Sequence, residues 1–249
     1  MTHDLFRQDA YLRECGARVT AASEAGIELD RTVFYPLGGG QAGDSGALVL
    51  DDGALLAIAD TRKAKDAEGQ PTGGILHVPA PGQEALLARL APGQAVTARI
   101  DGERRHRMMR LHTASHLLCH LVPHLVNGCS ITPDYARLDF ATAEPIDKEQ
   151  LTAGLAALVA ATHPVTVASI SDAELDANPQ LVKSMSVQPP RGTGRIRTIR
   201  IGAEGGALID LQPCGGTHVA HTAEIGAVAV TKVEKKSATT RRVVLGFVA

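Results

Sequence analysis

Two pairs of metal-ligand side chains, His112 with His116 and Cys214 with His218, are each spaced four positions apart and lie about a hundred residues from one another. A fold that brings them together has to join two distant segments at one point. On an α-helix, positions i and i+4 share a face, so His112 and His116 can aim both imidazoles at one ion. Met108, Leu111, Leu118, Val122 and Leu125 recur around them on a helical spacing, and Pro123, which lacks the backbone donor a continuing helix needs, should end the helix. Cys214 and His218 follow another logic. Pro213 before them and Gly215-Gly216 between them predict a tight loop after a strand, where backbone can wrap an ion. Three imidazoles and a thiolate form a common zinc ligand set. A zinc peptidase with His-x-x-x-His carries a Glu general base after the first His; Thr113 stands there instead, so that reading has no base.

The remaining chain bounds the architecture. Its 249 residues suffice for two ordinary domains, and 25 basic against 27 acidic residues exclude a generic polycation, so any nucleic-acid contact has to come from local patches. Cys15, Cys119, Cys129 and Cys214 form neither a Cys-x-x-Cys pair nor a disulfide framework. With no signal-peptide pattern and no apolar run of membrane length, a reducing cytoplasm is the expected compartment, with no membrane partner.

Residues 1–100 predict a small β-barrel, with strands over Ala17–Ala21, Gly26–Phe34, Ala47–Ile58, Gly74–Val78 and Ala95–Ile100, a short helix near Gln83–Leu90 and an exposed charged loop over Asp60–Gly73. Residues 101–249 predict a zinc-containing domain with helices on an antiparallel sheet: the metal helix, a turn at Asn127-Gly128, a strand over Tyr135–Phe140, a helix begun by Asp147 and stopped before His163-Pro164, a strand over Val165–Ile170, a strand over Ala207–Leu211, and a terminal hairpin of Ala227–Val233 with Arg241–Val248. The fold class is therefore α+β. Gly38-Gly39-Gly40-Gln41-Ala42-Gly43 formally satisfies G-x-G-x-x-G, but Asp44 to Val49 shows no helical period, and without a helix N-terminus there is no dinucleotide cradle and no nucleotide cofactor.

Three blocks, FYPLGGGQAGDSGAL, RMMRLHTASHLL and CGGTHVAHTAEIG, resemble in order the signature motifs of the editing domain shared by alanyl-tRNA synthetase and the free-standing AlaX alanyl-tRNA editing proteins, in their two-domain form. The resemblance covers nearly the whole chain. It implies an editing domain of the threonyl/alanyl-tRNA synthetase type after the barrel. It also implies a zinc-dependent aminoacyl-tRNA deacylase that cleaves the ester of serine or glycine wrongly attached to alanine tRNA, acting on the acceptor end of that tRNA. Zinc bound at His112, His116, Cys214 and His218 would activate water or polarise the ester carbonyl or amino group. Four protein ligands close a tetrahedral shell, which requires a labile ligand, an expanded shell, or an ion that only positions substrate. By resemblance, Gly38, Gly39, Gly40 and Gln41 lie against the pocket, and Asn127 stands near a position that is often Gln in the synthetase. With Ser130 and Thr132, Asn127 is the candidate reader of the serine hydroxyl. Such a second sieve suits a synthetase pocket that poorly rejects an added hydroxyl.

Basic residues mark candidate RNA contacts. Arg104 and Arg105, with Arg107 and Arg110, crowd the start of the metal helix, where positive charge is unfavourable without a compensating partner. Lys183, Arg191, Arg195, Arg197 and Arg200 fill a stretch without acidic residues between Asp176 and Glu204, and Lys235, Lys236, Arg241 and Arg242 extend the basic surface. His106, His120 and His124 are assigned to surface or packing. Two other classes stay open: an RNA-binding module with structural zinc, which fits closed four-ligand coordination, and, ranked lower, an editor of threonine-accepting tRNA, whose zinc loop typically differs from Cys-Gly-Gly-Thr-His. A full synthetase is disfavoured by the short sequence before the barrel. Monomer and dimer both stay open.

Overall fold

Alternation of buried and exposed residues shapes the first unit, Met1–Gly38 with Ala42–His106. The computed structural model describes residues 2–189, 192 and 194–248, so Arg191, expected to contact RNA, lies outside the described residues. The strands of this unit are β1 (His3–Asp4), β2 (Glu14–Ser23), β3 (Gly26–Leu29), β4 (Arg31–Thr32), β5 (Gly46–Val49), β6 (Leu55–Lys65), β7 (Pro71–Pro79) and β8 (Ala95–Ile100), with a single-turn helix α1 (Glu84–Leu87) before β8. In the order β2-β3-β7-β6-β5-β8 they close into a barrel. Its core is made by inward residues including Val19, Ile27, Leu48, Leu56, Ile58 and Val96.

Two expectations need correction. Most of Asp60–Gly73 is strand, because β6 runs to Lys65 and β7 begins at Pro71. Thr61 and Ala64 are buried while Arg62, Lys63 and Lys65 stay exposed, and the register shifts between Lys63 and Lys65, so the charges that suggested a loop belong to an irregular hairpin. Ala47–Ile58 is two antiparallel strands, separated by a turn whose Gly53 has φ 82°.

The second unit comprises Gly39–Gln41 and Arg107–Ala249. The helix α2 (Gly102–Leu121) ends before Pro123, as its missing N–H requires. Every residue from Leu111 to Cys119 is buried, so the helix is enclosed all round rather than along one stripe. β9 (Val126–Ile131), β10 (Tyr135–Ala141), α3 (Lys148–Ala160), β11 (Val165–Ile170), α4 (Asp172–Ala177), β12 (Ile196–Ile201), β13 (Asp210–Pro213), β14 (Val228–Ser237) and β15 (Thr240–Phe247) follow. One antiparallel sheet runs β14-β15-β10-β9 and a second runs β11-β12-β13. Asp147 caps α3 by accepting from Glu149 N and Gln150 N at 2.8 and 2.9 Å, and Leu151 and Leu155 are the buried residues of that helix. Asn127-Gly128 is not a turn. Gly128 pairs with Asp139 and Val126 with Phe140, leaving Asn127 as the extra residue of a β-bulge.

Candidate metal centre

α2 presents His112 and His116 one turn apart, and the loop leaving β13 presents Cys214 and His218. One nitrogen or sulfur from each lies within 4.8 Å of the others. Cys214 Sγ stands 3.5 Å from His112 Nε2 and 3.4 Å from His218 Nε2, and the three histidines are 4–6 % exposed. These residues can hold one metal ion.

Each imidazole has its other nitrogen occupied by a different acceptor. His112 Nδ1 meets Gln41 Oε1 at 2.8 Å, and His116 Nδ1 meets Asp210 Oδ2 at 2.8 Å. His218 Nδ1 lies 3.1 Å from Thr113 Oγ1, whose own hydrogen goes to Met109 O. A hydroxyl already donating has only lone pairs to offer, so His218 carries its hydrogen on Nδ1. All three rings are thereby held as Nδ1–H tautomers with Nε2 free to bind a cation, the outer arrangement that orients metal-ligating histidines. The chemistry of the donor set and this tautomer control both fit zinc.

Electrostatics favour a thiolate at Cys214 and a neutral ring at His218, but a charged ring at His116. Desolvation would raise the Cys214 thiol, but His112 and His218 beside it bring its pKa well below the ordinary value, favouring the ligating thiolate. Burial, followed by His112, lowers His218 to about 3. Burial opposes charge on His116, yet the bond to Asp210, assisted by Cys214, raises its pKa to about 9. Asp210 is itself held down to about 2 against its burial by His116 and Lys183, whose Nζ pairs with Asp210 Oδ1. Cys119 and Cys129 are pushed up to about 12, chiefly by burial, and stay outside the ligand set as protonated packing residues.

The other predicted residues divide. Gln41 is fully buried and bonded to His112 and Thr217. Gly39 and Gly40 adopt φ 58° and 85° beside it, whereas Gly38 lies in the first unit, where its carbonyl accepts from Tyr35 Oη. Asn127 is exposed at the bulge and Ser130 is half-buried on β9. The Thr132 hydroxyl donates to Tyr135 O and accepts from Tyr135 N and Asp134 N, which commits it to the β9–β10 turn.

Of the candidate RNA contacts, Lys235 and Lys236 are exposed on β14, and Arg195 is exposed with its Nε bonded to Ser169 Oγ. Arg104 donates to Gly43 O. Arg105 is 2 % exposed and its guanidinium is spent on Asp44 and two carbonyls, so the charge at the start of α2 is compensated inside the protein rather than by phosphate. Arg197 NH1 donates to Cys214 O at 2.6 Å and Gly216 O at 3.1 Å, strapping the ligand loop. Lys183 is likewise turned to Asp210. Sequence reading gave no role to Asp210, Thr113 or Gln212, whose Nε2 donates to Asp210 Oδ2 at 2.8 Å. The available signal was an acid inside the apolar run Ala207–Leu211 just before a ligand loop.

A helix-borne His-x-x-x-His and a loop-borne Cys-x-x-x-His thus meet in an α+β unit as a site able to hold one metal ion. Residues 196–244 match the family described as "Threonyl and Alanyl tRNA synthetase second additional domain". The chain is 32 % identical over 247 residues to alanyl-tRNA editing protein AlaX-M of Saccharolobus solfataricus, with 98 % of both chains covered. It is 30 % identical over 251 residues to AlaX-M of Methanosarcina mazei, covering 97 % of this chain and 95 % of that one. It is also 33 % identical over 245 residues to the alanine–tRNA ligase of Metallosphaera sedula, covering 94 % of this chain but 25 % of the ligase. The chain belongs to the AlaX-M family of alanyl-tRNA editing proteins.

Proposed function

We propose that this protein is a trans-editing hydrolase that removes serine or glycine from alanine tRNA and spares alanine. The observation that carries the reading is the buried His112, His116, Cys214 and His218 cluster in a chain of this family. The cluster would hold Zn2+ through three Nε2 atoms and the Cys214 thiolate. Bound there, zinc would supply a Lewis acid for the ester carbonyl or the substrate amino group. Around it Gln41, Asp210 and Thr113 hold the rings in orientation and Arg197 holds the loop, so the ligand set needs little rearrangement on binding. Water adds to the ester carbonyl carbon, the acyl–oxygen bond breaks, and amino acid and tRNA with a free ribose hydroxyl leave.

In this reading residues 1–100 are a barrel domain carrying the Gly-rich motif and residues 101–249 the editing domain, working in the cytoplasm. Asn127 and Ser130 supply polar groups for a serine hydroxyl, and Gly39 and Gly40 let backbone approach the aminoacyl end. Lys235, Lys236 and Arg195 are the exposed cations offered to tRNA phosphates.

The test is release of labelled amino acid from seryl-, glycyl- and alanyl-tRNA of the alanine type. Serine or glycine release without alanine release, abolished by chelation, restored by zinc, and absent from a folded Cys214→Ala variant, supports the proposal. No release by zinc-loaded protein rejects it. The four-donor set also favours a second reading, a tRNA-binding module with purely structural zinc, for which tRNA binding persists without any ester cleavage.

A further inference from the structure

Gln41 has no exposure to solvent, yet it belongs to a stretch whose glycines suggest an open loop. Its amide lies between the two halves of the ligand set. Oε1 accepts from Thr217 N at 3.1 Å and faces His112 Nδ1 at 2.8 Å, while Nε2 donates to Thr217 Oγ1 at 2.8 Å. A backbone N–H can only donate, so the atom beside Thr217 N has to be the oxygen, and its other neighbour, His112 Nδ1, has to carry a hydrogen. One amide thus dictates which nitrogen of His112 is left for a metal.

The backbone is arranged to deliver this side chain. Gly40 O accepts from Ile131 N at 2.8 Å, and Gln41 bridges Ile131 in parallel. A Cβ on Gly40, at φ 85°, would sit 3.0 Å from both the carbonyl oxygen and the sulfur of Cys129. A Cβ on Gly216 would overlap the His112 ring and lie 2.8 Å from Gln41 Oε1. Gly216 therefore clears the space beside the Gln41 amide, and Gly40 lets the backbone that carries Gln41 pack against Cys129.

We propose that Gln41 is a positioning residue of the metal centre: it fixes His112 as an Nε2 ligand and ties the Cys214–His218 loop to the same amide. This goes beyond the substrate contact expected of the Gly-rich motif, and rests on the proposal that the cluster holds zinc. Its oxygen is used within the centre, not kept for substrate.

The test is zinc affinity by competition with a chromophoric chelator, together with the cobalt(II) ligand-field spectrum, for the native protein, Gln41→Leu, Gln41→Glu and Gln41→Met. Native protein that takes up no zinc refutes the metal reading itself. Given native binding, Gln41→Leu should bind zinc about 10–100-fold more weakly and shift the cobalt spectrum while keeping the native circular dichroism. Gln41→Glu keeps an oxygen for His112 and Thr217 N, so it should bind better than the Leu variant; binding no better than Gln41→Leu overturns the role. Native affinity and spectrum in Gln41→Leu overturn the proposal. Should that variant not fold, Gln41→Met decides: it keeps the length of the side chain but offers His112 Nδ1 no oxygen, and an unchanged affinity and spectrum reject the role.

Discussion

Arg105 and Asp44 form an ion pair sealed from solvent, 2 % and 1 % exposed, with Arg105 Nε at 3.0 and 2.9 Å from the two carboxylate oxygens. The rest of the guanidinium is used as well, NH2 donating to Val33 O at 2.7 Å and NH1 to Ala10 O at 3.0 Å. Asp44 also accepts from Tyr35 N at 2.6 Å. A pair this well satisfied tolerates burial, but either charge alone would not. Arg105→Met or Asp44→Leu should each destabilise the fold by about 3–5 kcal/mol, and the double variant by clearly less than the sum. Denaturant unfolding of the four proteins measures this. Additive losses would mean that the pair is not coupled.

That pair also shows where sequence reading stopped. The ligands were legible because zinc chemistry demands His and Cys at helix and loop spacings, and α2, the cap at Asp147 and β11 followed from Pro123, an Asx residue and a β-branched run. Arg105 was not legible as a core residue. A charge at a helix start reads as surface until its partner, sixty-one positions earlier, is known to be buried with it. Asp60–Gly73 failed for a related reason, since the irregularity between Lys63 and Lys65 leaves Arg62 and Lys63 side by side in solvent and interrupts the alternation that marks a strand. Gln41 and Asp210 act on the ligands through contacts 71 and 94 residues apart in sequence, which no local pattern encodes.

His77 should make the barrel sensitive to acid. It is completely buried, its Nδ1 donates to Ile27 O at 3.0 Å, and its Nε2 accepts from Thr32 Oγ1 at 2.7 Å, an arrangement that only the neutral ring satisfies. Burial lowers its pKa from 6.5 to about 4. With the folded value below the unfolded one, the stability contributed by neutral His77 is complete above about pH 6.5 and is lost as the pH falls toward 4, at most about 3 kcal/mol. In a His77→Gln variant this titration is absent, while every other group titrates as before. The stability gap between native and variant protein should therefore narrow from pH 7 to pH 4. A gap independent of pH refutes the assignment.

Gly216→Ala should abolish metal binding without unfolding the barrel. Its added methyl would overlap the His112 ring, and neither partner has room to yield, with His112 on enclosed α2 and Gly216 O strapped by Arg197. Gly69, at φ 80° with open space around it, provides the control: Gly69→Ala should cost only about 1 kcal/mol of backbone strain and leave zinc uptake unchanged. Bound zinc in the two purified variants is the readout, and full occupancy in Gly216→Ala would contradict the packing seen at His112.

Arg197 separates a basic residue that holds the ligand loop from the exposed lysines proposed to contact tRNA. Its NH1 binds the carbonyls of Cys214 and Gly216, and its own carbonyl accepts from Cys214 N at 3.2 Å, so side chain and backbone both hold the first residue of the ligand loop. Lys235 and Lys236 are exposed. Each lost phosphate contact lowers the slope of log affinity against log salt by about 0.7–0.9. Lys235→Gln with Lys236→Gln should reduce that slope for tRNA and leave zinc affinity unchanged. Arg197→Ala should do the reverse, weakening zinc while preserving the slope. A reduced slope in Arg197→Ala with native zinc affinity would return Arg197 to the RNA surface and leave the Cys214 loop held by its backbone alone.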